Sequence, residues 1–345
     1  MNKDLRHKNN FDFLKLIFAL LVVVSHSSIL SKIAYPKFFL PEVKGPIGQF
    51  AVWGFFVMSG YLVSGSLARA KNRTQFLLKR FYRIYPAHIL SAFLATFLLG
   101  ALLTSLRITD YFGNWNIYAH FIDTVFLIPK EDCLPGVFSH NPLTCAVNGN
   151  LWTLRYEILF YILFSVLFTF SFVNKRKTIG VTIILTFIAY YSWYFFNSRI
   201  TSPVANYYLK YLTQLAIYFS SGVFLYYFPI INSRNCKKIF LLFCPIFIVC
   251  WIASVDFYLL LMPVLVPVVV ISAGLCNLPK INISKTVGDV SYGIYIYGFT
   301  IQQTLLQLFP DIGIYTFFIS SAIICLVVGY LSWHLIEKRW LRISV

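Results

Sequence analysis

Apolar stretches of about twenty residues recur from one end of this chain to the other. A helix rises ~1.5 Å per residue, so each stretch is long enough to cross a ~30 Å hydrocarbon layer. Ten are read: 11–30, 46–66, 86–104, 149–172, 178–196, 207–228, 239–255, 257–276, 287–308 and 312–335. Inside lipid every backbone N–H and C=O must be satisfied by the protein, which leaves helices or closed barrels. The two-residue alternation of a membrane barrel is absent. Composition agrees: 59% of the 345 residues are hydrophobic, 12% are charged and the mean hydropathy is +0.72, outside the soluble globular range. The expected fold is all-α, one polytopic membrane domain over 1–345 with about ten transmembrane helices. Pro263 and Pro267 fall inside one span, as membrane helices tolerate. No cleavable signal peptide is read, because the first span lacks a small-residue cleavage site and contains Asp12 and Lys15.

The formal charge of +17 raises nucleic acid as a partner, but its distribution argues against one. With the N-terminus in the cytoplasm, 21 Lys and Arg fall on cytoplasmic segments and seven on outer ones. That ratio follows the positive-inside rule with both termini cytoplasmic. Orientation and anionic lipid headgroups account for most of the basic excess. Cys133 and Cys145 share the long outer segment, about 105–148, where a disulfide is chemically permitted. No cysteine pair has metal-ligand spacing, so no metal is expected. Asn72-Arg-Thr and Asn282-Ile-Ser match the glycosylation pattern but fall on the cytoplasmic side. The outer segment is either a solvated connector or a binding segment.

Within the spans, a few polar residues stand out. His26 lies about fifteen residues into Phe11–Leu30, roughly 22 Å across the layer. An ionisable side chain at that depth is costly and marks function by default; the other reading is a hydrogen bond to a neighbouring helix. At 100° per residue, Asp12, Lys15, Ala19 and Val22 fall within about 40° of His26, giving one face from the cytoplasmic edge. Glu157 sits ~12 Å along the fourth span from the outer side, so its depth matches that of His26 to about a turn. Arg155 and Glu157 are two apart and cannot face each other on one helix, so each needs a partner elsewhere. That suggests a polar network in the bundle interior; the other reading is a structural ion pair, which weighs more for Arg155 than for Glu157.

Ser59 and Gly60 follow Phe55–Met58 in the second span; Gly60 permits close helix approach and Ser59 can bond across helices. Arg80 and Arg83 are three apart and project from one helical face at the cytoplasmic boundary. Paired guanidinium forks suit phosphate, and equally an anchor on lipid headgroups. Asp289 has the place of a helix cap. Tyr295 and Tyr297 read as packing first and as interior hydrogen-bonders second. His334, Glu337, Lys338 and Arg339 look interfacial, and His7, His88, His120 and His140 receive no role.

Six elements in order resemble the membrane acyltransferase family 3. They are the FD-x-x-K-to-His span ending at His26, FFVxSGYL as Phe55–Leu62, R-x-x-R as Arg80 and Arg83 before Pro86, and W-x-L-x-x-E as Trp152–Glu157. SYGIYLY is matched by Ser291–Tyr297, and the closing element by Ile336-Glu-Lys. Many relatives have a His directly after SYGIYLY, where this chain has Gly298, so a second intramembrane imidazole is not expected there. Some relatives add a C-terminal hydrolase-like domain; the chain is expected to be the stand-alone form.

The resemblance implies an integral-membrane O-acyltransferase of a bacterial inner membrane. Acyl-CoA, usually acetyl-CoA, would be the co-substrate on the cytoplasmic side, and no permanently bound cofactor is expected. The acceptor would be a hydroxyl of a cell-surface or lipid-linked glycan, such as lipopolysaccharide. On this reading Arg80, Arg83 and Lys15 hold the CoA, whose pantetheine arm enters along the Asp12–Ala19 face. His26 is general base or transient acyl carrier and Glu157 orients it, with Asp12, Ser59, Gly60, Trp152, Arg155 and Tyr295 in support. Two other classes stay open. One is a proton-coupled transporter or flippase with His26 and Glu157 as relay; missing repeat symmetry weighs against it. The other is a glycan-binding scaffold, which His26 at depth disfavours.

Overall fold

The computed structural model of the protein describes residues 9–33, 47–129, 132–170, 175–252, 258–276 and 287–343. Lys3, Arg6, His7, Lys8, Lys37, Lys44, Lys130, Glu131 and the Asn282 motif lie outside the described residues. Among the described residues the fold is all-α, with a single isolated bridge between Cys133 and Ala146. Its long helices are α1 (Phe11–Ser31), α2 (Ile47–Arg69), α3 (Arg73–Leu103), α6 (Trp152–Phe170), α7 (Lys175–Phe196), α8 (Pro203–Tyr227), α9 (Cys236–Ile252), α10 (Tyr258–Leu275), α11 (Ser291–Leu308) and α12 (Ile314–Ile343). Two short helices, α4 (Ile108–Gly113) and α5 (Trp115–Val125), lie between α3 and α6. The ten long helices overlap the ten apolar stretches. Six are both long and apolar enough to cross a membrane. Of the others, α9 has 17 residues and α11 carries Gln302, Gln303 and Gln307.

The start of the third span differs most from the sequence reading. The apolar run places the start of the third span at Pro86, but α3 begins at Arg73 and carries Pro86 in its interior. The basic stretch before Pro86 is therefore helical. Its start is capped: Asn72 Oδ1 accepts from Gln75 N at 2.8 Å, and Gln75 Oε1 accepts from Lys71 N at 2.8 Å, a close relative of the capping box. The Asn72 motif is thus a helix cap.

The chain forms two compact units. The first holds the described residues of 9–15, 47–77 and 156–276. Its centre is the crossing of α2 and α8. A Cβ on Gly60 would lie 2.0 Å from the Phe219 carbonyl oxygen, and one on Gly222 2.1 Å from that of Val57, so the two backbones touch as only glycines allow. Trp53 stacks on Tyr218 at 5.0 Å beside this crossing. At the start of α1, Asn10 ties its backbone N–H to Gly274 and its side-chain amide to Cys276, both through carbonyls.

The second unit holds 16–33, 78–155 and 287–343. Within α3, Leu94–Leu99 forms a π turn. The Tyr111 hydroxyl donates to the Thr96 carbonyl there at 2.7 Å, a side-chain insertion of the kind that produces such bulges. The segment after α3 is packed rather than a loose connector. Tyr111, Ile117, Leu134, Val137, Phe138 and Val147 bury one cluster with Ala95, and Cys133 and Cys145 are joined by a disulfide. The polar side of α11 stitches onto this segment. Thr300 donates to Val147 O, Gln303 to Leu143 O and Ala146 O, and Gln307 to Leu103 O.

Candidate active site

Helix α1 holds His26 on a face fixed by α11. Gln302 Nε2 donates to Val23 O and to Ser27 Oγ, both at 2.9 Å, and Ser27 Oγ donates to Val23 O. These bonds bracket His26 on both sides along the helix. The imidazole meets the Phe299 ring edge-on, with centroids 5.4 Å apart. Within this unit neither ring nitrogen has a hydrogen-bond partner among the described residues, so the imidazole is positioned by packing. Gly298 lies one turn from Gln302, where a Cβ would meet Val23 and Cys325 at ordinary contact distances of 3.6 and 3.7 Å.

Glu157 belongs to the other unit. Its Oε1 accepts from Ser59 Oγ at 3.3 Å and from the Tyr161 hydroxyl one turn along α6. Ser59 Oγ also lies 2.9 Å from the Tyr161 oxygen. The Ser59–Gly60 pair therefore does two jobs. The glycine brings α2 against α8, and the serine reaches the carboxylate of α6. These partners of Glu157 are hydroxyls, not the ion pair considered from sequence.

The basic residues divide. Arg83 places one terminal nitrogen 2.6 Å from Glu337 Oε2 and the other 2.7 Å from Asp289 Oδ2, with Tyr292 and Trp333 rings each 5.5 Å from the guanidinium carbon. Ser332 donates to Glu337 and Ser291 to Asp289. Gly288, at φ +94°, makes the turn into Asp289 against the Trp333 ring, a conformation open to glycine. One point of the sequence reading is corrected here, the place of Glu337, and two other residues gain partners. Arg83 ties α3 to the turn before α11 and to α12 through the carboxylates at the two ends of its fork. Asp289 is part of that link. Glu337 is 1% exposed rather than interfacial. Arg80 lies one turn earlier on α3 and is half-buried.

Lys15 bonds Asp12 at 2.8 Å on the first turn of α1. The stripe expected to admit a pantetheine arm is packed: Ala19 is 0% and Val22 4% exposed. Tyr295 is a hydrogen-bonding latch, the second of its two sequence readings. Its hydroxyl donates to Asn150 O at 3.0 Å and contacts Thr153 Oγ1, while Asn150 Nδ2 donates to Tyr295 O. Arg155 Nε donates to Trp152 O at 3.1 Å.

Sequence reasoning missed Gln302, whose only signal was an amide run inside an apolar span. It also missed His120, buried at 7% exposure. That ring bonds Thr96 Oγ1 through Nδ1 and Asp132 Oδ1 through Nε2, both at 3.0 Å. No short motif links those three positions.

The chain matches the acyltransferase domain family over residues 8–334. It belongs to the membrane acyltransferase family 3. An O-acetyl transferase of Shigella phage Sf6 is 30% identical over 343 residues, covering 98% of both chains. Nodulation protein 10 of Rhizobium leguminosarum bv. viciae is 26% identical over 357 residues, covering 98% of this chain and 94% of its own. An uncharacterized protein of Haemophilus influenzae is 27% identical over 175 residues, 49% of this chain and 67% of its own. No solved structure matches. The chain is therefore an acyltransferase, and its apolar helices make it a multi-pass membrane protein.

Proposed function

We propose that the protein moves an acetyl group from acetyl-CoA, at the cytoplasmic face of a bacterial inner membrane, to a hydroxyl of a cell-surface or lipid-linked glycan. The observation that carries this reading is the end-to-end likeness to an O-acetyl transferase. His26 supplies the chemistry. As general base it takes the proton of the acceptor hydroxyl while that oxygen attacks the thioester carbonyl, and it returns the proton to the departing CoA sulfur. As acyl carrier it would bond the acetyl group first, in two steps. The packing of His26 against Phe299 and the Gln302 bonds to the surrounding turn fix its position. Glu157 enters the reading as the carboxylate of matching depth. Arg80 meets a CoA phosphate, and Arg83 stiffens the helix that presents it.

The test supplies labelled acetyl-CoA to membranes containing the protein and follows label into glycan. Label should appear there only when the protein is present; its absence from glycan would overturn the reading. Arg80→Ala should raise the acetyl-CoA concentration needed for half-maximal transfer about tenfold, the loss of one charge-assisted phosphate contact. An unchanged requirement would remove Arg80 from donor binding.

A further inference from the structure

A cavity of about 190 Å³ opens between the end of α5 and the start of α6. It is smaller than the ~300–1,000 Å³ of sites for drug-sized ligands, and is on the scale of one sugar ring. Its floor is built before any ligand arrives. Asp132 accepts from His120 through Oδ1 and from the Asn148 backbone N–H through Oδ2. Both nitrogens of His120 are thereby engaged, on Asp132 and Thr96, so the ring is not available as a metal ligand.

Two charged groups, Arg155 and Asp123, set what the cavity accepts above a buried amide. Asn148 is 5% exposed and donates its amide nitrogen to Ile296 O at 2.8 Å. That bond fixes which end of the amide is oxygen. The Oδ1 is left buried with no hydrogen-bond partner among the described residues, a state proteins rarely tolerate. That oxygen has essentially no accessible surface, so it lies beneath the cavity lining rather than open to a ligand. Arg155 also lines the cavity. Among the described residues only its Nε is bonded, to Trp152 O, and guanidinium nitrogens only donate. Asp123 adds a carboxylate to the lining, and Trp152 and Leu127 give it apolar walls.

A ligand that fits must therefore accept from Arg155, donate to Asp123 and rest an apolar face on Trp152. It must be near neutral, because two carboxylates oppose an anion and Arg155 opposes a cation. A pyranose ring has each property: hydroxyls that donate and accept, and a C–H face. We propose that this cavity binds a neutral sugar ring of the acceptor glycan. The proposal rests on the acyl-transfer reading for the word acceptor, and on the cavity alone for the word sugar.

The test uses the full chain in lipid nanodiscs, since sugar-headed detergents would compete. A panel of methyl glycosides (glucoside, galactoside, rhamnoside and N-acetylglucosaminide) is titrated by saturation-transfer NMR. At least one should bind the wild type. Asp123→Asn and Arg155→Gln should each weaken it about tenfold while acetyl-CoA binding stays within about twofold. Asp123→Asn preserves shape, which guards against a folding artefact. Binding of no glycoside, or equal binding by both variants, would overturn the proposal. Glycoside binding without label transfer from acetyl-CoA would leave the cavity standing and remove the acyl-transfer reading. Transfer with an unchanged acceptor KM in both variants would do the reverse.

Discussion

Arg83 shows how far a residue's chemistry depends on its neighbours. An R-x-x-R pair at a membrane boundary reads as phosphate recognition, because two forks share one helix face. In the structure one fork closes on Asp289 and Glu337, and that pairing brings residues more than two hundred positions apart into one cluster. The distance along the chain is why the sequence did not show it: no local spacing connects residue 83 with 289 or 337. Breaking a partly buried pair by removing one partner leaves an uncompensated charge and costs about 3–5 kcal/mol. Glu337→Gln is therefore expected to lower the unfolding temperature of the solubilised protein clearly. It should leave the acetyl-CoA requirement of the surviving protein unchanged. A stable Glu337→Gln variant with weakened acetyl-CoA dependence would instead return Arg83 to the donor site. His26, by contrast, is proposed from a single residue, because an imidazole deep in an apolar run is costly to keep without a function.

The elements were legible where apolar length alone decides them, and less so where polar residues do. Helix α3 reads short from sequence because Arg73–Arg83 interrupts the hydrophobic run, yet Asn72 and Gln75 mark its true start. The segment after α3 reads equally well as connector or binding element. Its order comes from Tyr111, from the α11 amides and from the disulfide, none of which periodicity reveals. Gly60 was legible by type, and the structure supplies its opposite number, Gly222. Gly60→Leu would drive a side chain into the Phe219 carbonyl. Overpacking of this kind costs about 1–3 kcal/mol or more, and the variant is expected to melt earlier in a thermal scan of solubilised protein. Wild-type melting would show that α2 and α8 separate easily. The Cys133–Cys145 disulfide spans 12 residues. A loop of that size corresponds to about 3 kcal/mol on the chain-entropy account. Cys145→Ser is expected to destabilise the segment and speed its proteolysis; equal protease resistance would deny the disulfide that role.

For the whole molecule, membrane residence followed from hydropathy and the reaction class from six short elements in order. The charge distribution proposes which side each segment faces, and donor and acceptor come from opposite sides in that scheme. In the proposed scheme His26 works without a second imidazole at Gly298, where many relatives carry one, so the scheme is exposed to one substitution. The most direct measurement is transfer of label from acetyl-CoA to membrane glycan by His26→Ala, in membranes where the variant is present at wild-type amount and melts at the wild-type temperature. Loss of a general base is expected to cut the rate about 10²-fold or more. Undiminished acylation would contradict the central claim and take His26 out of the mechanism.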